Sequence, residues 1–390
     1  MKILHLHDGP HIHGGATEYL RQLLPQMESR GHETCLFSLD HESPDASEAR
    51  PSAHYRYPFN TGPLRRHLDF RRHNPALAHC LTQFIQAEKP DLVHIQNLLP
   101  FRRTVFSTIQ YIGLPLLMTV HDFTLVDPNP AKAPRVGLKG AVLRVRDHFC
   151  LKVDQKAVFE ATSRFLCPTQ ALQEGIPFPD GKTVVQRLPI ALQESSPLET
   201  PKPDEGHLRI FFAGTLFTSK GVDILLHALH QAKGRAAEAT LEIAGQGDQE
   251  SKLKQLVADL GLEHRVTFLG HLDKAAMNRA YKRAHLQALP SRVPENSPLT
   301  VLEAGALGRP SVASHAGGVP ELLPPERGWT FPSENAGALA AILEEIAEQP
   351  EKLTTRGQNM RTWVREDFSP ERHWAEIDQH YRELAPRPKP

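Results

Sequence analysis

Cysteine is scarce: Cys35, Cys80, Cys150 and Cys167 are the four in 390 residues, and none has a close metal-type spacing. Neither a disulfide scaffold nor a cysteine-held metal is expected. No apolar run approaches the ~20 residues that a bilayer-spanning helix needs. The residues after Met1 pass directly into a strand-like ILHLH without the layout of a secretory leader, so a reducing cytoplasm is the expected location. An excess of one charge is also missing, with 45 Lys and Arg against 45 Asp and Glu. That balance, with 40% hydrophobic residues, argues against a nucleic-acid-coating tail or a disordered polyampholyte, and no nucleic-acid partner is expected. There is no G-x-G-x-x-G dinucleotide fingerprint after a strand, and no D-x-D pair to hold a metal.

What is present is uneven locally. Residues 50–156 carry 16 Lys and Arg against 7 Asp and Glu, including the pairs Arg65–Arg66, Arg71–Arg72 and Arg102–Arg103, whereas residues 191–390 carry 23 against 27. A basic first half attracts phosphates or an anionic membrane surface, or is an ordinary solvated face. Length at ~150 residues per domain predicts two domains or slightly more.

The pattern of apolar residues predicts strands near 2–7, 33–39, 91–95, 114–120, 165–168 and 183–188. Helices are predicted at 16–30, closed by Gly31, and at 76–89, 103–112 and 147–162. The stretch 193–206, QESSPLETPKPDEG, is proline-rich, acidic and nearly free of apolar residues, which reads as a linker. The rhythm then restarts, with strands at 208–213, 240–244, 265–269, 286–289 and 311–314 and helices at 221–233, 249–260, 274–284, 299–307, 336–348 and 370–384. Strands alternating with helices argue for parallel, doubly wound sheets. The expected architecture is α/β, with two Rossmann-like domains at 1–192 and 207–368 facing across a cleft, and a terminal segment at 369–390.

Several residues have chemistry to offer. Gly14 and Gly15 lie between the first strand and first helix, where amides and the positive helix end receive a phosphate or simply make a tight turn. His5, His7, His11 and His13 form two H-x-H pairs that invite a metal reading, although no third ligand sits at an obvious interval. His121 ends an apolar strand, where an imidazole exchanges hydrogen bonds with a substrate hydroxyl or is satisfied by backbone. In AGTLFTSKG, Thr215 and Lys220 occupy a strand-to-helix loop, and a lysine there adds a point charge to the helix end. The most specific signal is ENSPLTVLE. Glu295 falls in a loop, Pro298 suits the first turn of the next helix, and Glu303 falls within that helix. Two carboxylates so placed suit different hydroxyls of one polyhydroxylated ligand, while the Leu299 and Thr300 amides remain for a phosphate.

Taken in order along nearly the whole chain, these segments resemble glycosyltransferase family 4, retaining nucleotide-sugar enzymes of the GT-B fold. HGGATEYLRQLLPQMESRGHE is similar to the family's opening Gly-Gly loop and helix, and TVHD to its histidine motif. AGTLFTSKGVDILLHAL is similar to its phosphate loop, IAGQGD and VTFLG to the strand ends that follow, and ENSPLTVLE to its E-x7-E signature. The resemblance implies that Glu303 binds the ribose hydroxyls and Glu295 the transferred sugar. It implies that Lys220 binds the diphosphate with the Leu299 and Thr300 amides, and that His121 meets the donor sugar or the acceptor. It further implies that Gly15 leaves room beside the diphosphate, that the backbone at Leu269 and Gly270 flanks the base, and that the terminal helix crosses back to the first domain. The family often has an arginine where Thr215 stands, which leaves Arg292 or another basic residue to supply the missing charge.

The reaction implied is transfer of a hexose from a UDP- or GDP-linked sugar to an acceptor hydroxyl with retained configuration, without metal or other cofactor. The acceptor is expected to be a carbohydrate or a lipid-linked glycan, with membrane association through the basic first half. Three rival readings predict different behaviour. A hydrolase built on the histidine pairs would contain zinc, an epimerase would turn over donor alone, and a silent binding protein would bind nucleotide without turnover.

Overall fold

The structure is a computed structural model describing residues 1–7, 15–40, 53–58, 73–98, 101–126, 151–190 and 207–385. Gly14, His11, His13, Cys150, the arginine pairs at 65–66 and 71–72, and the expected linker at 193–206 lie outside the described residues. The chain divides into two compact units, Met1–Arg187 with Glu371–Pro390, and Leu188–Pro370.

Strands of a parallel sheet are covered on both faces and therefore read as apolar runs rather than as alternation. In the first unit these are β1 (Lys2–His7), β2 (Glu33–Asp40), β3 (Ala53–Pro58), β4 (Leu92–Asn97), β5 (Leu116–Thr119), β6 (Arg164–Cys167) and β7 (Thr183–Val185). They form one seven-stranded sheet in the order β3-β2-β1-β4-β5-β6-β7, with every pairing parallel. The second unit repeats the scheme with β8 (Arg209–Ala213), β9 (Thr240–Ala244), β10 (Val266–Gly270), β11 (Leu286–Leu289), β12 (Ser311–Ser314) and β13 (Gly328–Phe331). Its order is β10-β9-β8-β11-β12-β13, again parallel throughout. Each unit is thus a doubly wound, Rossmann-like α/β domain, and two such domains in one chain are the components of the GT-B fold. In each sheet the strand order reverses once, between β1 and β4 and between β8 and β11, and the loops at the carboxyl ends there are where such sheets bind ligands.

The strand patterns at 53–58 and 328–331 and the helix Glu351–Asp367 are additions to the elements expected from sequence. The helix Pro370–Leu384 belongs to the first unit, with His373, Trp374, Ile377 and Tyr381 buried there. Polar contacts fix its register. His32 Nε2 lies 2.7 Å from Asp378 Oδ1, the Tyr19 hydroxyl 2.8 Å from His373 Nε2, and the Tyr381 hydroxyl 2.6 Å from His94 Nδ1.

Arg102 corrects one expectation about charge. It is buried and donates to the carbonyl and hydroxyl oxygens of Thr124, so it ties a helix to a loop and adds nothing to a basic face. Arg103 beside it is exposed.

Candidate active site

In the second unit, the loops after β8 and β11 meet at the reversal of strand order. The β8 loop turns through a short 3-10 helix, Thr218–Lys220, into Gly221, whose φ of 66° opens the helix Val222–Gln231. A Cβ on Gly221 would stand 2.0 Å from the Pro290 carbonyl oxygen, so only glycine lets the two loops approach this closely. The approach is sealed by Arg292 N, which donates to Ser219 O at 2.8 Å, and by the Ser291 hydroxyl, 3.2 Å from the same oxygen.

The consequence is a direct contact between residues 75 positions apart: Lys220 Nζ lies 2.7 Å from Glu295 Oε1. Ser291 Oγ donates to that same carboxylate oxygen at 2.7 Å. The Glu295 backbone is held in turn by Gly318 N, which donates to Glu295 O at 2.7 Å. Gly317, at φ 61°, passes so near that a Cβ would come within 2.3 Å of that oxygen. A cation and an acceptor are therefore fixed at one point, both only partly open to solvent.

Glu295 leads directly into the helix Leu299–Ala306. Pro298 is its N-cap, at φ −65° and ψ 111°, one position earlier than the first turn expected from sequence, and it brings no capping side chain. The first helical amides, Leu299 and Thr300, have no acceptor within the helix and suit an anion. Glu303, one turn on, accepts from the Tyr281 hydroxyl at 3.1 Å. Glu303 is an exposed residue, but the ring beside its carboxyl is buried, and this partial desolvation raises its pKa despite the Tyr281 hydrogen bond and the charge of Lys274. Burial and the Glu303 charge push the Tyr281 hydroxyl well above its ordinary value, so it stays a donor.

Arg292, one option that the sequence leaves for the missing arginine's charge, is engaged by carboxylates. Its guanidinium makes a two-pronged pair with Asp223, both contacts at 2.7 Å, and reaches Glu334 at 2.7 Å and Thr218 O at 2.9 Å. These carboxylates raise its pKa and consume its donors. Thr215 itself is exposed in the β8 loop. Leu269 and Gly270 close β10, and backbone links pass from there towards the β8 loop, with Gly245 N donating to Gly270 O and Gly214 N to Ala244 O.

In the first unit, Gly15 opens the helix Gly15–Ser29 after β1, and His121 follows β5. His121 Nε2 is 3.2 Å from Gln96 Oε1, and its ring meets Tyr19 edge-on at 5.4 Å. Burial, reinforced by His7 and His373, pushes the ring down to about 3, so it is neutral near pH 7. His5 and His7 are both buried in β1, and among the described residues no group of three His, Cys, Asp or Glu has a metal-binding arrangement. Sequence reasoning missed Ser291, Tyr281, Asp223 and Gln96. Only Ser291 had a local signal, its place four residues before Glu295.

Comparison with known proteins decides the lineage of these two units. The profile of Glycosyltransferase Family 4 matches residues 13–176, and that of Glycosyl transferases group 1 matches residues 198–363. The chain belongs to glycosyltransferase family 4. Among its relatives, it is 37% identical over 139 residues to an uncharacterized glycosyltransferase, MJ1607, of Methanocaldococcus jannaschii, covering 35% of each chain. It is 32% identical over 184 residues to the amylovoran biosynthesis glycosyltransferase AmsK of Erwinia amylovora, covering 46% of this chain and 44% of that one. The aligned part thus spans less than half the length of these two relatives. Anabaena HepE, solved in complex with UDP-glucose, shares the fold with a TM-score of 0.73 at 21% identity, over 98% of this chain and 100% of that one.

Proposed function

We propose that the protein is a retaining glycosyltransferase that moves a hexose from a nucleotide-diphosphate sugar to an acceptor hydroxyl. The observation that carries this reading is the Lys220–Glu295 contact, beside a helix start that has no side-chain cap, at the reversal of strand order. The diphosphate takes the Lys220 ammonium and the Leu299 and Thr300 amides. Glu295 accepts from the sugar hydroxyls, and Glu303 from the ribose hydroxyls. As the glycosidic bond to the leaving phosphate breaks, negative charge grows on the departing oxygen, and a fixed cation with a helix end stabilises it. We therefore propose turnover without a divalent metal. The second unit is assigned the donor and the first unit the acceptor.

The acceptor class we propose is a growing surface polysaccharide or a lipid-linked glycan. AmsK acts in amylovoran biosynthesis, which supports the first, and the basic stretch 50–156 supports an anionic membrane surface. HepE binds UDP-glucose, so this donor is tried first, followed by GDP-linked and ADP-linked sugars. The test is a thermal-shift screen of these nucleotide sugars, then donor hydrolysis with the best binder in the presence of EDTA. One nucleotide class is expected to raise the melting temperature and to be slowly hydrolysed in the chelator. Loss of that hydrolysis with EDTA would remove metal independence, and no shift with any donor would remove the assignment.

A further inference from the structure

We propose that Gln96 is a positioning residue: its side-chain amide bridges His94 and His121 and holds His121 in the tautomer with the proton on Nε2 and the acceptor lone pair on Nδ1. The inference rests on the reading of His121 as a group that meets the substrates.

The contacts form a short chain through the first unit. The Tyr381 hydroxyl lies 2.6 Å from His94 Nδ1, Gln96 Nε2 lies 3.0 Å from His94 Nε2, and Gln96 Oε1 lies 3.2 Å from His121 Nε2. His94 and Gln96 are two apart on β4, so their side chains share a face of the sheet. An amide nitrogen only donates and an amide oxygen only accepts. Gln96 Oε1 therefore takes the Nε2 proton of His121, while Gln96 Nε2 donates to His94 Nε2. His94 keeps its own proton on Nδ1 and donates it to Tyr381. Thr119 Oγ1 lies 2.9 Å from the same nitrogen. Each member dictates the orientation of the next.

Among the described residues, the groups around His121 include His7 at the end of β1, Tyr19 on the first helix, Gln96 on β4, Asp122 beside it in the chain, and His373 on the terminal helix. The Asp122 carboxylate is engaged by the Thr124 amide at 2.8 Å. Because the ring is kept neutral, the site has to specify which nitrogen carries the proton. Gln96 does so, and the terminal helix anchors the far end of the chain through Tyr381.

Nitrogen-15 labelling of histidine in the full chain reads ring tautomers directly, and the unaltered protein is expected to show His121 protonated at Nε2. Gln96→Leu removes both contacts, so His121 is expected to populate both tautomers. With that ring misplaced, kcat is expected to fall by up to about 100-fold with the donor KM little changed. Gln96→Glu keeps an acceptor for His121 Nε2. It should preserve the tautomer and much of the rate, while its negative charge raises the ring's pKa and moves the acid limb of the kcat profile to higher pH. An unchanged His121 tautomer in Gln96→Leu overturns the proposal, as does full kcat in that variant once its tautomer has moved. If the unaltered chain turned over no donor, glycosyl transfer would be the reading to fall, and the ring measurement would still decide the role of Gln96.

Discussion

Replacing Lys220 with alanine is expected to lower kcat for hexose transfer by about 10²–10³-fold, the loss typical of removing one preorganised electrostatic contact to developing charge. The effect should be large here because the charge of Arg292 is drawn to carboxylates of its own. Thr215 brings no charge, and Arg292 is held by Asp223 and Glu334 on either side of its guanidinium. With Lys220 gone, the amides at the start of the Leu299–Ala306 helix are left to meet the charge on the departing phosphate. Lys220→Arg should keep part of the rate, because the charge remains while its geometry changes. Steady-state transfer and donor hydrolysis should fall together. A variant that retains more than half of the kcat would mean that the diphosphate is neutralised elsewhere.

Acid should dismantle the first unit. Burial holds His5 and His121 at about 3 and His373 at about 4, and pushes His94 well below its ordinary value. In the unfolded chain each would titrate near 6.5. The unfolded state therefore binds protons that the folded state refuses, so stability is complete above about pH 6.5 and is lost as pH falls towards the folded values. For His5, His121 and His373 the cost is about 1.4 kcal/mol per pH unit, or about 2 kcal/mol each at pH 5. Together they reach the lower end of the stability of an ordinary domain, about 5–15 kcal/mol, and His94 acts in the same direction. Urea unfolding followed by circular dichroism should show a transition whose midpoint drops steeply between pH 7 and pH 5. Neither ring nitrogen of His5 has a hydrogen-bond partner among the described residues. His5→Leu should therefore recover about 2 kcal/mol at pH 5 while costing little at pH 7. Equal midpoints at the two pH values would show that these rings are protonated in the folded state.

The sheets were legible because parallel strands announce themselves as apolar runs between helical periods, as KILHLH and RIFFA do. The helix Glu351–Asp367 was not, since its sequence is polar and only a narrow stripe of Leu353, Gly357, Met360 and Val364 is buried. The strand GWTF is four residues long and carries no periodicity to read. Within the site, Lys220 and Glu295 were each visible from the chemistry of their loops. Their contact was not, because it depends on Gly221 passing Pro290, a matter of loop geometry. The bridge from Tyr381 to His94 spans 287 residues, and spacing along the chain carries no trace of it. Arg292 shows the converse, a charge that looked available in the sequence and is consumed by carboxylates in the fold.

The account stands on the second unit holding the nucleotide by Glu303 and the diphosphate by Lys220. Calorimetric titration of the best nucleotide sugar into the full chain, with and without Glu303→Ala, tests this most directly. Saturable binding at one site per chain that weakens at least about tenfold in the variant, with an unchanged melting temperature for the unliganded protein, is the predicted result. Equal affinity for the two proteins would contradict it.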